Sequence, residues 1–217
     1  MAQPRHHPGA LEPGTRFPDY VFPDHTGVKR RLSDLQSDQT MVVVLTRGAF
    51  CPKDRQHFQE LVRFHPQLVV GFTHIVAITT DDWHTANNMR QQLGAHFPFL
   101  LDEERQVQRD FGIAEYTDTE HDVMIPHTLV LKPGLEIQSV YNGYYYWGRP
   151  SMADLHRDLR EATRAIRGDW DLTKRDLREA WDRGEKDRFW PYGSKSMEQT
   201  LVEMAGAVDQ YAGRAGD

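Results

Sequence analysis

Apolar residues run without a break from Met41 to Leu45 and again from Ile75 to Ile78. Short apolar runs bounded by polar residues are the pattern of buried strands, and they predict one strand from Met41 to Thr46 and another from His74 to Thr80. Between them Phe58, Leu61 and Val62 recur at helical spacing, which predicts a helix from Pro52 to about His65. Trp83 to Leu93 reads as a second helix, because Asp81 or Asp82 can cap it and Gly94 can end it. Strand, helix, strand, helix implies parallel pairing through right-handed crossovers, so the fold class is α/β.

The pattern changes farther along. Phe97 to Asp102 is a short extended piece, Glu103 to Phe111 a short helix closed by Gly112, and Ile113 to Asp122 a polar, irregular stretch. Ile125–Leu131 and Leu135–Tyr141, joined by Lys132-Pro133-Gly134, predict a hairpin; Pro126 cannot donate to a ladder and belongs at the first residue of its strand. Ser151 and Asp154 form a capping box that opens a helix ending near Gly168. Upstream, short extended pieces around Asp24 to Gly27 predict an N-terminal hairpin ahead of the main sheet. Residues 1–12 carry no periodic pattern and read as a flexible tail, 13–168 as the main domain, and 169–217 as a helical C-terminal extension. In that extension Asp171 to Arg183 and Ser196 to Tyr211 read as helices around an aromatic turn, Arg188 to Gly193. Its aromatics require a surface, on their own domain or on a partner subunit.

Composition narrows the classes. A chain of 217 residues can bury a real core, and a net charge of −6 argues against a general nucleic-acid binder, which needs a basic surface. The single cysteine cannot form an internal disulfide. The opening Met1 to Pro8 lacks an apolar signal segment, and no apolar run approaches the roughly 18 residues of a membrane span. A reducing cytoplasm and no membrane association are expected. His6-His7 is read as part of the tail, and His121, Asp122 and His127 match no zinc spacing, so no metal or other cofactor is expected. Asp102-Glu103-Glu104 is read as helix-start chemistry.

The cysteine carries the chemistry. Cys51 lies where the Met41 strand turns into the Pro52 helix, and proline suits the first helical position, which makes Cys51 the N-cap. The partial positive charge of a helix N-terminus favours a thiolate, the nucleophilic form of the side chain. His57, six residues on, is expected at the surface.

Four stretches now show a resemblance. They are Pro18-Asp19-Tyr20 through Gly27 to Leu32-Ser33-Asp34-Leu35, the strand and turn ending at Cys51-Pro52, Phe97 to Asp102 through Phe111-Gly112-Ile113, and Ile125-Pro126. In that order they resemble the peroxiredoxin and thiol-specific antioxidant (AhpC-TSA, redoxin) group of the thioredoxin superfamily. The resemblance implies a thioredoxin-like fold, a central mixed sheet flanked by helices. In it the Ile125 strand runs antiparallel to the Met41 strand, and Cys51, Pro126 and the run Asn142 to Arg149 converge at one edge.

Further implications concern activity. Cys51 would be a peroxidatic nucleophile that reduces a hydroperoxide, and with no second cysteine an external thiol or a thioredoxin-type reductant would restore it. Pro126 would be the superfamily's cis-proline beside the sulfur. The family's proline and hydroxyl positions hold Val44 and Gly48 here, and the later strand reads Pro126-His127-Thr128 without arginine. Arg47 or Arg149 would then supply the charge, and Thr46 or a tyrosine the hydroxyl, while Gly48, Pro126, His127, Tyr145 and Trp147 would line the substrate site. Arg-Gly before an aromatic and Cys-Pro also resembles a redoxin branch with a second cysteine three residues on, a position that Asp54 holds here. A carboxylate in the first helical turn is expected to oppose a thiolate. A homodimer follows by family analogy. The alternatives are a redoxin-fold binding or sensing module without peroxidase activity, and a monothiol-disulfide exchange protein.

Overall fold

The structure, a computed structural model, describes residues 11–143 and 147–189. It opens with an antiparallel hairpin of Val21–Pro23 (β1) and Lys29–Arg31 (β2). Asp24 builds the turn: its Oδ1 accepts the N–H groups of Thr26 at 2.7 Å and Val28 at 3.2 Å, and Gly27 takes φ 82°. A five-residue helix, Leu32–Gln36 (α1), follows at once and has no counterpart in the periodicity reading. Too short for its own period to show, it is held by tertiary contacts. The side-chain amide of buried Gln36 donates to the Lys132 carbonyl and accepts from the Leu135 N–H, both at 2.9 Å.

The elements that carry the sheet come next: Thr40–Leu45 (β3), Pro52–Val70 (α2), Thr73–Thr79 (β4), Trp83–Leu93 (α3), Phe99–Leu101 (β5), Gln106–Phe111 (α4), His127–Lys132 (β6) and Glu136–Asn142 (β7). Met152–Ile166 (α5) and Arg175–Asp182 (α6) complete the described helices of more than one turn. The strand order is β5-β4-β3-β6-β7, with β3, β4 and β5 parallel and β6 antiparallel to both β3 and β7. This is the mixed sheet expected from the sequence. Every residue of β3 is buried; Met41, Val43 and Leu45 join a core with Phe17, Leu32, Val76, Ile78 and Leu129, as a central strand covered on both faces requires.

Local chemistry sets the boundaries. The Asp82 side chain accepts the Thr85 N–H at 2.8 Å to start α3, and Gly94 ends it in the left-handed conformation. Helix α4 starts later than Glu103, because Asp102 caps it by accepting from the Gln106 and Val107 N–H groups at 2.7 and 2.9 Å. Helix α2 runs to Val70 rather than His65, passing through Pro66. Proline removes one hydrogen bond there, but the buried face of Phe58, Leu61, Phe64 and Leu68 continues past it and tertiary burial prevails. Ser151 and Asp154 close the expected capping box of α5, with their side chains 2.8 Å apart.

Backbone proximity divides the chain into two units between Leu159 and Arg160. The first contains the sheet. In the second, Leu177, Ala180 and Phe189 form a small apolar cluster with the expected charge-rich helix, α6. The expected helix from Ser196 to Tyr211 lies outside the described residues. No helix among those described is long and apolar enough to cross a membrane.

Candidate active site

Sheet register brings the site together. Leu45 at the end of β3 lies opposite His127 at the start of β6, which lies opposite Asn142 at the end of β7. The segments that leave this edge supply Cys51, Pro126 and Arg149. Cys51 is the N-cap of α2 with φ −78° and ψ 113°, Pro52 sits in the first turn, and the Cys51 N–H donates to the Gly48 carbonyl at 3.1 Å. Its side chain is 2% exposed and lies in a cavity of about 430 Å³ whose walls include Arg47, Lys53, Glu115, Tyr116, Pro126 and Arg149.

Two guanidinium groups flank the sulfur. Arg149 Nη2 lies 3.8 Å from Cys51 Sγ and Arg47 Nη1 lies 3.9 Å from it. Arg149 is held by Asp54: its Nε donates to Oδ1 at 2.9 Å, and Nη2 closes on the same oxygen. The other oxygen of Asp54 accepts from Thr46 Oγ1 at 2.8 Å and from the Arg47 N–H at 2.7 Å. Asp54 is 2% exposed, and a carboxylate this deep persists only when its oxygens are satisfied in this way. Asp54, expected to oppose a thiolate, is bound by the turn and by Arg149, the same guanidinium that approaches the sulfur. The Thr46 hydroxyl is likewise committed, donating to Asp54 and accepting the Gly48 N–H at 3.1 Å.

Arg47 sits over the Phe50 ring, 5.3 Å from its centroid. Its Nη2 donates to Asp118 Oδ2 at 2.8 Å, and its Nε lies 2.8 Å from Glu115 Oε2 as an ion pair, without the alignment of a hydrogen bond. Burial works against the Arg47 charge, but Glu115, Cys51 and Asp118 together hold its pKa above the usual arginine value.

Gly48 has a structural reason to be glycine. Its φ is 119°, and a Cβ there would stand 2.7 Å from Asp81 Oδ1. The other Asp81 oxygen accepts from the Ala49 N–H at 2.9 Å and from Thr79 Oγ1 at 2.8 Å, so a carboxyl group occupies the space a side chain at position 48 would need. Burial raises the Asp81 pKa, although the Thr79 and Ala49 hydrogen bonds oppose the shift. Pro126 lines the cavity just before β6, and its carbonyl accepts the Gly143 N–H at 2.7 Å, extending the β6–β7 pairing without needing a donor.

The remaining expected residues are placed differently. His127 is buried with Nδ1 2.8 Å from the Ile125 carbonyl, outside the cavity lining; burial lowers its pKa. Trp147 is 91% exposed and does not line the cavity, and Tyr145 lies outside the described residues. His57 is not at the surface: it is 4% exposed, its Nε2 has no hydrogen-bond partner among the described residues, and burial lowers its pKa to about 4. Apolar periodicity cannot mark such a residue. Glu115, Asp118 and Asp81 were also missed. The first two lie in the irregular stretch, whereas Asp81 was discoverable, because it follows β4, the parallel neighbour of β3, at the same sheet edge.

The sequence and fold that carry this site have known relatives. The model of the AhpC/TSA family matches residues 13–140. The chain belongs to the AhpC/TSA family. The protein named Putative peroxiredoxin Rv1608c, from Mycobacterium tuberculosis, is 28% identical over 106 residues, which cover 48% of this chain and 67% of that protein. Among solved structures, peroxidoxin BcpB from Mycobacterium tuberculosis superposes with a TM-score of 0.59 at 24% identity, covering 71% of this chain and 97% of that one. AhpC from Enterococcus faecalis gives a TM-score of 0.62 at 14% identity, over 74% of this chain and 97% of that one. These structural likenesses establish the thioredoxin-like fold for this AhpC/TSA member.

Proposed function

We propose that this AhpC/TSA protein is a one-cysteine thiol peroxidase. The observation that carries the reading is the Cys51 sulfur, set in a cavity 3.8 and 3.9 Å from the Arg149 and Arg47 guanidiniums. In the first half-reaction the thiolate attacks one peroxide oxygen; the O–O bond breaks, Cys51 becomes a sulfenic acid, and the leaving oxygen takes a proton to give an alcohol or water. Charge grows on the leaving oxygen, and N–H donors already in place stabilise it without reorganisation, the role assigned to Arg149 and Arg47.

The chain has one cysteine, so an external thiol resolves the sulfenate. That thiol displaces water and forms a mixed disulfide, and a second thiol releases Cys51 as the oxidised thiol pair departs. The peroxiredoxin names of relatives support hydroperoxide as substrate and a thiol as reductant. The binding-module alternative is motivated by the missing hydroxyl, the missing strand arginine and Asp54; the Arg149 guanidinium 3.8 Å from the sulfur supports the peroxidase reading over it.

The test is coupled NADPH oxidation with hydroperoxide and several thiol reductants. Wild type is expected to turn over and Cys51→Ser to fall to the uncatalysed rate; equal rates would end the proposal. We also propose a cytoplasmic protein that forms a homodimer, supported by the family and by exposed Trp147. Sedimentation over a hundredfold concentration range would reveal a monomer if the dimer is wrong.

A further inference from the structure

Arg47 is a long side chain, and a sulfur at 3.9 Å is too weak a partner to hold it in one rotamer. What holds it comes from a different part of the chain. Two carboxylates take the Nε and Nη2 edge of the guanidinium, Glu115 at 2.8 Å and Asp118 at 2.8 Å, which leaves Nη1 directed at Cys51. Asp118 is itself fixed. Its Oδ1 accepts the N–H groups of Glu120 at 3.0 Å and His121 at 3.1 Å, and stands 3.0 Å from His121 Nδ1.

The same loop is fastened a second time. The His121 ring stacks on Phe50, the neighbour of Cys51, with centroids 3.7 Å apart and planes 3° from parallel. At its base the loop is tied by the Ala114–Met124 bridge and by a 2.8 Å bond from the Glu115 N–H to the Val123 carbonyl. Loop and cysteine turn are therefore joined through Arg47 and through Phe50.

We propose that Glu115 and Asp118 are positioning residues for the thiol chemistry, acting through Arg47, with His121 locking Asp118. This rests on the thiol peroxidase reading. The two acids also subtract from the field of Arg47 at the sulfur, but they lie on the opposite edge of the guanidinium. In this proposal the ordering of Nη1 outweighs the field they subtract, and the direction of the rate change in the variants decides it.

The experiment uses the full chain carrying Glu115→Gln and Asp118→Asn, each alone and each again in an Arg47→Gln background, with Glu120→Gln as the control from the same loop. Two rates are read: alkylation of Cys51 by iodoacetamide and consumption of hydroperoxide. Each single variant is expected to slow both by about tenfold, a coupling of ordinary size for contacting residues, and to have no further effect once Arg47 is gone. Asp118→Glu, which keeps the charge, should recover most of the loss.

Unchanged or faster rates would overturn the proposal, and so would an equal loss in the Arg47→Gln background, the mark of a merely structural role. Should Asp118→Asn fail to fold, Glu115→Gln decides. If wild type consumes no hydroperoxide, the peroxidase reading falls, while the alkylation cycle still decides the clamp.

Discussion

At the scale of single residues, Asp54 is the centre of the site. Its two oxygens tie Arg149, Thr46 and the Arg47 N–H together, so the cysteine turn and the segment after β7 meet on one buried carboxylate. Arg149→Gln should therefore do two things. It removes a donor beside the sulfur, lowering kcat/KM for hydroperoxide by about 100-fold, and it strands a buried charge, destabilising the fold by about 3–5 kcal/mol. Steady-state kinetics and denaturant titration read the two separately, and the double change with Asp54→Asn should restore much of the stability but not the rate. His57 gives a pH prediction. Its pKa is about 4 in the folded protein against an ordinary 6.5, so between these values the unfolded chain binds more protons than the folded one. Stability is complete above about pH 6.5 and falls as the pH drops towards 4, by up to about 3 kcal/mol. His57→Leu should flatten that slope in urea titrations from pH 4 to 7; an unchanged slope would place the dependence elsewhere.

At the scale of elements, the turn between β3 and α2 is the most constrained piece of backbone. Gly48→Ala meets both a positive φ and the Asp81 carboxylate, and should cost about 1–3 kcal/mol and slow alkylation of Cys51 by displacing the turn. Pairing it with Asp81→Ala removes the clash but not the strain, so partial recovery is expected in thermal melts. Helix α1 makes a second case. Gln36→Ala leaves the Leu135 N–H unpaired in the interior and should destabilise by about 1–3 kcal/mol with no effect on alkylation rate, because it pins the β6–β7 turn at the end of the sheet away from Cys51. The elements themselves were largely legible: apolar runs gave β3 and β4, and Asp82 with Gly94 bounded α3 as read. The five-residue helix α1 was not, because a window that short holds no full helical period, whereas the three-residue β1, β2 and β5 were marked by the turn and the short extended run around them.

On the scale of the whole molecule, one sheet edge gathers what the chemistry needs. Parallel β3 and β4 and antiparallel β6 and β7 bring Cys51, Asp81, Pro126 and the segment leading to Arg149 from four separate parts of the sequence to one end of the fold. With a single cysteine, peroxide followed by a low-molecular-weight thiol should yield one mixed disulfide per chain, seen as a mass increase that Cys51→Ser abolishes. By itself the sequence determined the order of the main strands and helices and the cysteine at a helix start, and the order of its motifs pointed to the family. These are properties of local period, caps and motif order, which need no neighbour to be defined. Tertiary structure alone decided which of two arginines meets which carboxylate, that Asp54 ties Arg149 to the cysteine turn, that His57 is buried, and that Glu115 and Asp118 reach Arg47. A charge is bound by whatever lies within a few ångströms of it, and across loops of irregular length that distance is set by the packing of the whole sheet, not by spacing along the chain.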